Sequence, residues 1–262
     1  MTASTAGPVP VALVHRGHTL RGWQLGTLPT SGPATAVLLV HGFGSTDTGG
    51  QQLFVQAARA LAGTGATVRS YSRLGHGTSD GEFADVTIGD EVEQVVAMVR
   101  RLAEDARGPV HVVAHSLGAV ESALAAARIP EHVATLTLWS PAGVVVDDIA
   151  EHDAIQGQPL APAREQGWFD FGGMALGTAF ITEVTDGLDV YAPIAAYTGP
   201  AEVLHGTADT IVPLAYGERY GDRLPGATFT AVDGADHGWS SVPYRRLLLD
   251  RLTAFTGSSA AR

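Results

Sequence analysis

Short apolar runs of strand length alternate along this chain with segments whose apolar residues recur at helical spacing. The run Ala36–Val40 is apolar throughout, as expected of a strand that is buried on both faces. Further strands are predicted at residues 66–71, 110–114, 133–139, 202–205 and 228–232, and helices at residues 53–61, 92–102, 119–127, 214–224 and 244–255. Strands that alternate with helices form crossover units and pair in parallel. The pattern therefore predicts an α/β fold whose mainly parallel central sheet is flanked by helices.

Two segments depart from this alternation. Near the N-terminus, residues 9–20 and 20–28 predict a β-hairpin that turns around Gly17. Residues 141–200 show no clean alternation, and an unstructured loop of that length is rare inside a compact domain. We therefore predict an α/β core formed by residues 1–140 and 201–262, with residues 141–200 inserted as a cap over the sheet.

The composition excludes several classes of function. The chain of 262 residues has no cysteine, so disulfide frameworks, thiolate metal sites and cysteine nucleophiles are ruled out. Its formal charge is −11 and its arginines are scattered, whereas a nucleic-acid-binding surface needs clustered positive charge, so no nucleic-acid partner is expected. No apolar run reaches the length of a membrane span and residues 1–10 lack the features of a signal peptide. We expect a cytoplasmic protein with no membrane partner.

A serine stands at the centre of a predicted strand-to-helix turn, Ala114-His115-Ser116-Leu117-Gly118. Such a turn holds its central side chain exposed, and it needs small residues two positions before and after the centre because the chain turns tightly there. Ala114 and Gly118 are both small. The turn predicts that Ser116 is a nucleophile; the alternative is a serine that only caps the helix after it.

A base and a carboxylate follow in the loops after two later strands. The serine hydroxyl is a weak nucleophile unless a base, itself oriented by a carboxylate, lies within hydrogen-bond reach. Asp209 follows the strand at 202–205, and His237 follows the strand at 228–232. The carboxyl ends of parallel strands meet at one edge of a sheet. We predict a catalytic triad of Ser116, His237 and Asp209, with Asp236 as the alternative orienting acid.

The loop His41-Gly42-Phe43-Gly44 directly follows the first buried strand. Acyl transfer needs two backbone N–H groups aimed at the developing oxyanion, one after the nucleophile and one from a loop in this place. The N–H groups of Leu117 and Phe43 are therefore predicted to form the oxyanion hole. His41, which we count among the substrate-site residues, is predicted to orient this loop.

These motifs resemble the α/β-hydrolase superfamily from His41 to about Phe255, and more narrowly the cinnamoyl (feruloyl) esterase-like group of small bacterial carboxylesterases. The resemblance is carried by residues 41–44, 73–81, 114–118, 205–212 and 234–237. The chain order of nucleophile, acid and base is also the one expected of the superfamily. The resemblance implies the α/β-hydrolase fold with an inserted cap and an acyl-enzyme mechanism.

The esterase group also implies residues for the substrate. An acidic residue early in its cap helps to hold the phenolic end of the substrate, and Asp148 lies at the matching place, followed by a matching Gln156. The tyrosine that the group has in mid-cap is missing, because residues 174–181 are small or apolar. Trp168, in an apolar cluster of the cap, and Trp239, two residues after the base, are predicted to line the pocket.

We therefore predict a serine carboxylesterase that acts on a small-molecule ester of a small to medium apolar or aromatic acid. A monoacylglycerol-lipase-like esterase, a thioesterase, a non-hydrolytic acyl-transfer, lyase or cyclisation enzyme, and a non-catalytic binding protein remain open. No cofactor or metal is implied, because the glycine-rich residues 75–81 lack phosphate-binding spacing and the histidines lack metal-ligand spacing. The resemblance leaves a homodimer open.

Overall fold

An eight-stranded sheet forms the centre of the computed structural model, which describes residues 7–259. The described strands are β1 (Val9–His15), β2 (His18–Leu25), β3 (Ala36–Val40), β4 (Thr67–Tyr71), β5 (Val110–His115), β6 (Val133–Trp139), β7 (Ala154–Ile155), β8 (Gln158–Pro159), β9 (Trp168–Phe171), β10 (Met174–Gly177), β11 (Ala201–Gly206) and β12 (Ala227–Val232). The sheet order is β1-β2-β4-β3-β5-β6-β11-β12. The pairs from β4 to β12 are parallel, and the β1–β2 hairpin joins β4 in antiparallel orientation.

Helices cover both faces of this sheet. They are α1 (Leu53–Ala62), α2 (Ile88–Ala106), α3 (Leu117–Arg128), α4 (Val144–Ala150), α5 (Ala161–Gln166), α6 (Thr178–Thr185), α7 (Leu214–Arg223) and α8 (Val242–Ser259). Within residues 7–259, every helix is too short or too polar to cross a membrane. The predicted α/β fold with a mainly parallel sheet is confirmed.

The buried strands supply one apolar layer to each face of the sheet. In β3, Leu38 and Val40 belong to a core with α2 and α3, whereas Val37 and Leu39 belong to a second core with α1 and α8. Successive side chains of a strand point to opposite faces, so a strand that is covered on both sides is apolar throughout. This is why β3 was recognisable from its composition alone.

Residues 141–200, called the cap segment below, fold into short elements between β6 and β11. They comprise α4, the β7–β8 hairpin, α5, the β9–β10 hairpin, α6 and a 3-10 turn at Pro193–Ala196. Phe169, Leu176 and Phe180 are buried in the same apolar core as α2 and α3. The cap segment therefore shares the apolar core that lies on the α2 and α3 side of the sheet.

Candidate active site

Ser116 lies in the sharp turn between β5 and α3. Its backbone has φ 59° and ψ −126°, a conformation that costs a non-glycine residue free energy and is found mainly at functional sites. Its N–H donates to the carbonyl oxygen of Trp139, 2.9 Å away, which joins the turn to the end of β6. The small neighbours are required: a Cβ at Gly118 would lie 2.1 Å from the carbonyl oxygen of His41.

The structure brings the three predicted triad residues together. Ser116 Oγ lies 3.0 Å from His237 Nε2, and His237 Nδ1 lies 2.7 Å from Asp209 Oδ2. A carboxylate only accepts hydrogen bonds, so Nδ1 carries the imidazole proton and Nε2 is left free to accept from the serine hydroxyl. The arrangement is that of a nucleophile, a base and the group that orients the base.

Asp209 is suited to orienting a base because its carboxylate is held in the ionised form. Burial alone would raise its pKa, but hydrogen bonds from His205, His237 and the Val212 N–H outweigh burial and hold the pKa well below its usual range. Its Oδ1 accepts from the N–H groups of Ile211 and Val212, at 2.9 and 2.8 Å. Asp236 instead accepts from the Ser240 N–H with its Oδ1, so it is not the orienting acid.

Two side chains that the sequence did not assign to the site hold the loop of His237. His115 Nε2 donates to the carbonyl oxygen of His237 at 2.9 Å. The pKa of His115 is lowered to about 3, mainly because the ring is buried and also because His237 is close to it. Arg245, almost fully buried, donates to the carbonyl oxygens of Gly238 and Trp239, both at 3.2 Å. Arg245 belongs to no local motif, so its role emerges only when α8 is packed against the loop.

The predicted oxyanion donors lie beside the nucleophile. Within residues 7–259, the N–H groups of Phe43 and Leu117 have no hydrogen-bond acceptor. The Phe43 ring is fixed against Phe171 and Phe180 of the cap segment, with ring centroids 4.7 and 5.0 Å apart. Two free donors at the nucleophile are what an oxyanion hole requires.

His41 orients this loop and does not contact the cavity, so its place among the substrate-site residues is corrected. Its ring is fully buried; Nδ1 donates to the Gly42 carbonyl oxygen at 2.8 Å, and Nε2 accepts from the Arg73 N–H at 3.1 Å. On the other side of the loop, the Gly44 N–H donates to His76 Nε2 at 3.3 Å. Hydrogen bonds at His41 and at Gly44 thus hold both ends of the oxyanion loop.

A fully buried charge cluster supports the oxyanion loop from behind. Arg73 donates from Nε to Glu91 Oε1 and from Nη1 to the His41 carbonyl oxygen, both at 2.6 Å, and its Nη2 lies 3.3 Å from Glu121 Oε2. Burial raises the pKa of Glu121 well above its usual value, and the Glu91 charge adds to this rise. This rise favours the neutral form of Glu121 and so brings the carboxyl groups of the cluster closer to charge balance with Arg73. Such balance is needed because an unpaired buried charge is strongly destabilising.

A cavity opens above Ser116, between the loops at the strand ends and the cap segment. Its lining residues are mostly apolar: Phe43, Ser116, Leu117, Ala142, Val144, Val145, Asp148, Ile155, Gln156, Phe171, Phe180, Ile211 and Val212. Asp148 and Gln156 are therefore placed at the cavity, as predicted, and Asp148 Oδ2 accepts from the Gln156 N–H at 3.1 Å. An apolar cavity with few polar groups is typical of a small-molecule site.

The two predicted tryptophans lie elsewhere, and both predictions are wrong. Trp168 is 41% exposed, because alternation along β9 turns Phe169 and Phe171 inward and Trp168 outward. Trp239 is fully buried in the core of α1 and α8, on the opposite face of the sheet from the cavity. Its positive φ of 53° turns the chain just after His237 and carries the side chain away from the nucleophile.

Comparison with known proteins agrees with this geometry. The profile of the alpha/beta hydrolase family matches residues 37–248, most of the chain. The chain therefore belongs to the alpha/beta hydrolase family.

Individual relatives are esterases and lipases. Est1E from Butyrivibrio proteoclasticus, solved with bound ferulic acid, superposes with a TM-score of 0.86 at 20% identity, over 96% of this chain and 100% of that one. A monoacylglycerol lipase from Paleococcus ferrophilus superposes with a TM-score of 0.68 at 18% identity, over 92% and 99%. At these identities the likeness is one of fold. Monoglyceride lipase from Homo sapiens is 33% identical over 115 residues, which span 43% of this chain and only 37% of that protein.

Proposed function

We propose that this chain is a serine carboxylesterase. The observation that carries the proposal is the continuous hydrogen-bonded relay from Asp209 through His237 to Ser116 Oγ, at the floor of a largely apolar cavity. Phe43 and Leu117, whose N–H groups are unpaired within residues 7–259, line the same cavity as Ser116 and would supply the two donors that a developing oxyanion needs.

The reaction follows from the positions of these groups. Ser116 Oγ attacks the ester carbonyl carbon while His237 Nε2 takes the hydroxyl proton, and the Phe43 and Leu117 N–H groups donate to the oxyanion. The C–O bond then breaks, and the leaving alcohol takes the proton from His237. Water attacks the remaining acyl-enzyme with His237 again as base, which releases the carboxylic acid and restores the Ser116 hydroxyl.

The cavity favours an aromatic acid that carries a phenolic hydroxyl. Apolar side chains of Val144, Val145 and Phe171 offer contact to a ring, and Asp148 is the acidic group of the lining. A carboxylate accepts a strong hydrogen bond from a phenol. The ferulic acid bound to Est1E, a protein of the same fold, supports a hydroxycinnamate ester as the substrate class.

A pair of esters tests this substrate class. Methyl 4-hydroxycinnamate and methyl cinnamate differ only in the phenolic hydroxyl, so the ratio of their kcat/KM values isolates the contact with Asp148. We expect the native enzyme to prefer the hydroxylated ester and Asp148→Asn to lower that preference about tenfold, the effect of a charge-assisted hydrogen bond. Asp186→Asn, an exposed aspartate of the same cap segment, serves as the matched control. Equal ratios in all three proteins would contradict the phenol contact.

A second candidate is a monoacylglycerol esterase. The local identity with monoglyceride lipase favours it, and the apolar lining of the cavity suits an alkyl chain as well as a ring. A monoacylglycerol in the same assay decides between the two: a higher kcat/KM for it than for either cinnamate ester would replace the first candidate.

A further inference from the structure

His205, near the end of β11, contacts the catalytic acid Asp209 and takes no part in the proton transfers of the proposed reaction. Its side chain is fully buried, and its Nε2 lies 2.8 Å from the Val212 carbonyl oxygen and 3.2 Å from Asp209 Oδ2. That Oδ2 is the oxygen that faces His237 Nδ1 at 2.7 Å. Two imidazoles therefore converge on one carboxylate oxygen.

The surroundings of the His205 ring fix its tautomer. Both atoms near Nε2 are acceptors, so Nε2 carries the proton. Nδ1 is buried and has no hydrogen-bond partner among residues 7–259, and it faces Gly217, where a Cβ would lie only 2.4 Å away. A proton on Nδ1 would be a buried donor without an acceptor, which is costly. His205 thus presents a fixed N–H to Asp209.

We propose that His205 is a positioning residue for the triad, whose Nε2–H takes up part of the Asp209 charge and so sets the pH range in which His237 acts as a base. The proposal rests on the proposed function of Ser116, His237 and Asp209. The N–H stabilises the carboxylate and weakens its attraction for a proton on His237. Without this donor, Asp209 would stabilise the imidazolium form of His237 more strongly, and a higher pH would be needed to free the base.

Other charged groups around the pair do not replace this donor. His115 packs against His237 with ring centroids 4.9 Å apart, but its lowered pKa of about 3 leaves it uncharged near neutral pH. Arg245 donates to backbone carbonyl oxygens of the His237 loop, and Asp236 is bonded to the Ser240 N–H. Among these neighbours, His205 is the one whose side chain contacts Asp209 Oδ2, the oxygen that also faces His237.

Two substitutions of nearly equal size separate this role from simple packing. His205→Gln keeps an N–H near the position of Nε2, whereas His205→Met has similar length and no donor. The readout is the rate at which a fluorophosphonate labels Ser116, measured across pH by intact mass, because this reaction needs the triad but no particular ester. We expect the acid limb of the pH–rate profile to shift to higher pH by about half a unit or more in the Met variant. The profile of the Gln variant should stay close to the native one.

Each result decides a separate point. A uniform loss of rate in the Met variant without a shift of the limb would show a packing role and overturn the proposal, as would a shift to lower pH. Native protein that is not labelled at any pH would overturn the proposed function itself. ¹⁵N-histidine spectra of the native protein at about pH 8 supply a test without any variant, because they distinguish the two tautomers: His205 should carry its proton on Nε2. A proton on Nδ1 instead would contradict the proposal.

Discussion

Gly118 is the residue at which the nucleophile helix passes the oxyanion loop. A Cβ there would lie 2.1 Å from the His41 carbonyl oxygen, so the loop would have to move by about 1 Å. We expect Gly118→Ala to lower kcat/KM for an ester about 100-fold. Gly257→Ala, in open space on α8, should leave kcat/KM unchanged and raise stability slightly. Native-like activity of Gly118→Ala would contradict the close packing of helix and loop.

Asp209 and Asp236 provide a second comparison, since both lie near the base and one contacts it. Asp209→Asn should lower kcat about 10,000-fold, because an amide in place of the carboxylate favours the wrong tautomer of His237. Asp236→Asn should stay within a few-fold of native, since its carboxylate bonds to the Ser240 N–H. Steady-state kinetics of the two variants measure the difference. A larger loss in Asp236→Asn would reassign the acid.

The residues of the site that were predictable from the sequence lie in short local motifs. Tight turns hold Ser116, Phe43 and Leu117. Such turns require small neighbouring residues, and these can be recognised in the sequence. Trp239 and Arg245 were misplaced or missed because the direction of a side chain after a turn depends on what packs beneath it. His205 looked like part of a strand, and only the fold of the following loop brings Asp209 back onto it.

Among the elements, α6 is held to the core by its buried apolar residues, such as Phe180, and also by Glu183. Glu183 Oε1 accepts from the Gly89 N–H at 2.9 Å, at the positive N-terminal end of α2. We expect Glu183→Ala to speed amide hydrogen exchange in α6 about tenfold, the effect of losing a charge-assisted hydrogen bond, while β3 and β5 stay protected. Glu165→Ala, an exposed glutamate of α5, is the control. Equal exchange in α6 of both variants would show that this contact does not hold the cap segment.

The bounds of the elements show which local signals are strong. The strands β3 and β6 begin and end where the sequence predicted, because they are apolar and flanked by turn residues. Helix α2 is longer than its apolar pattern, beginning after Thr87, whose Oγ1 accepts from the Asp90 N–H at 3.2 Å. The short elements of the cap segment were not predicted in detail, since packing on the core with α2 and α3 stabilises them more than local preference does.

At the scale of the whole molecule, buried histidines make the free energy of unfolding depend on pH at higher pH values than those at which carboxylates titrate. Burial lowers the pKa of His41, His76, His111 and His115. The unfolded chain binds protons at these groups below about pH 6.5 and the folded chain does not, so stability is lost as pH falls from there, by about 1.4 kcal/mol per pH unit for each group.

Urea unfolding at pH 7.5 and pH 5.5 tests this dependence. We expect a clearly lower free energy of unfolding at about pH 5.5, and a smaller difference in His111→Gln, which removes one such histidine far from the triad. Lowered carboxylate pKa values, as at Asp209 and Asp105, add a further loss only at more acidic pH. A free energy of unfolding that is the same at both pH values would contradict the neutral, buried state of these rings.

Ser116 is the residue on which the proposed reaction depends most, because it is the nucleophile. The most direct test is the hydrolysis of p-nitrophenyl butyrate by native protein, by Ser116→Ala and by Ser122→Ala. Ser122 is a matched control because it is buried on the same helix, α3, and its Oγ has no hydrogen-bond partner among the described residues. We predict that Ser116→Ala keeps the native unfolding temperature and loses about 10,000-fold or more in turnover, while Ser122→Ala retains activity. A folded Ser116→Ala protein that hydrolyses the ester at the native rate would contradict the account.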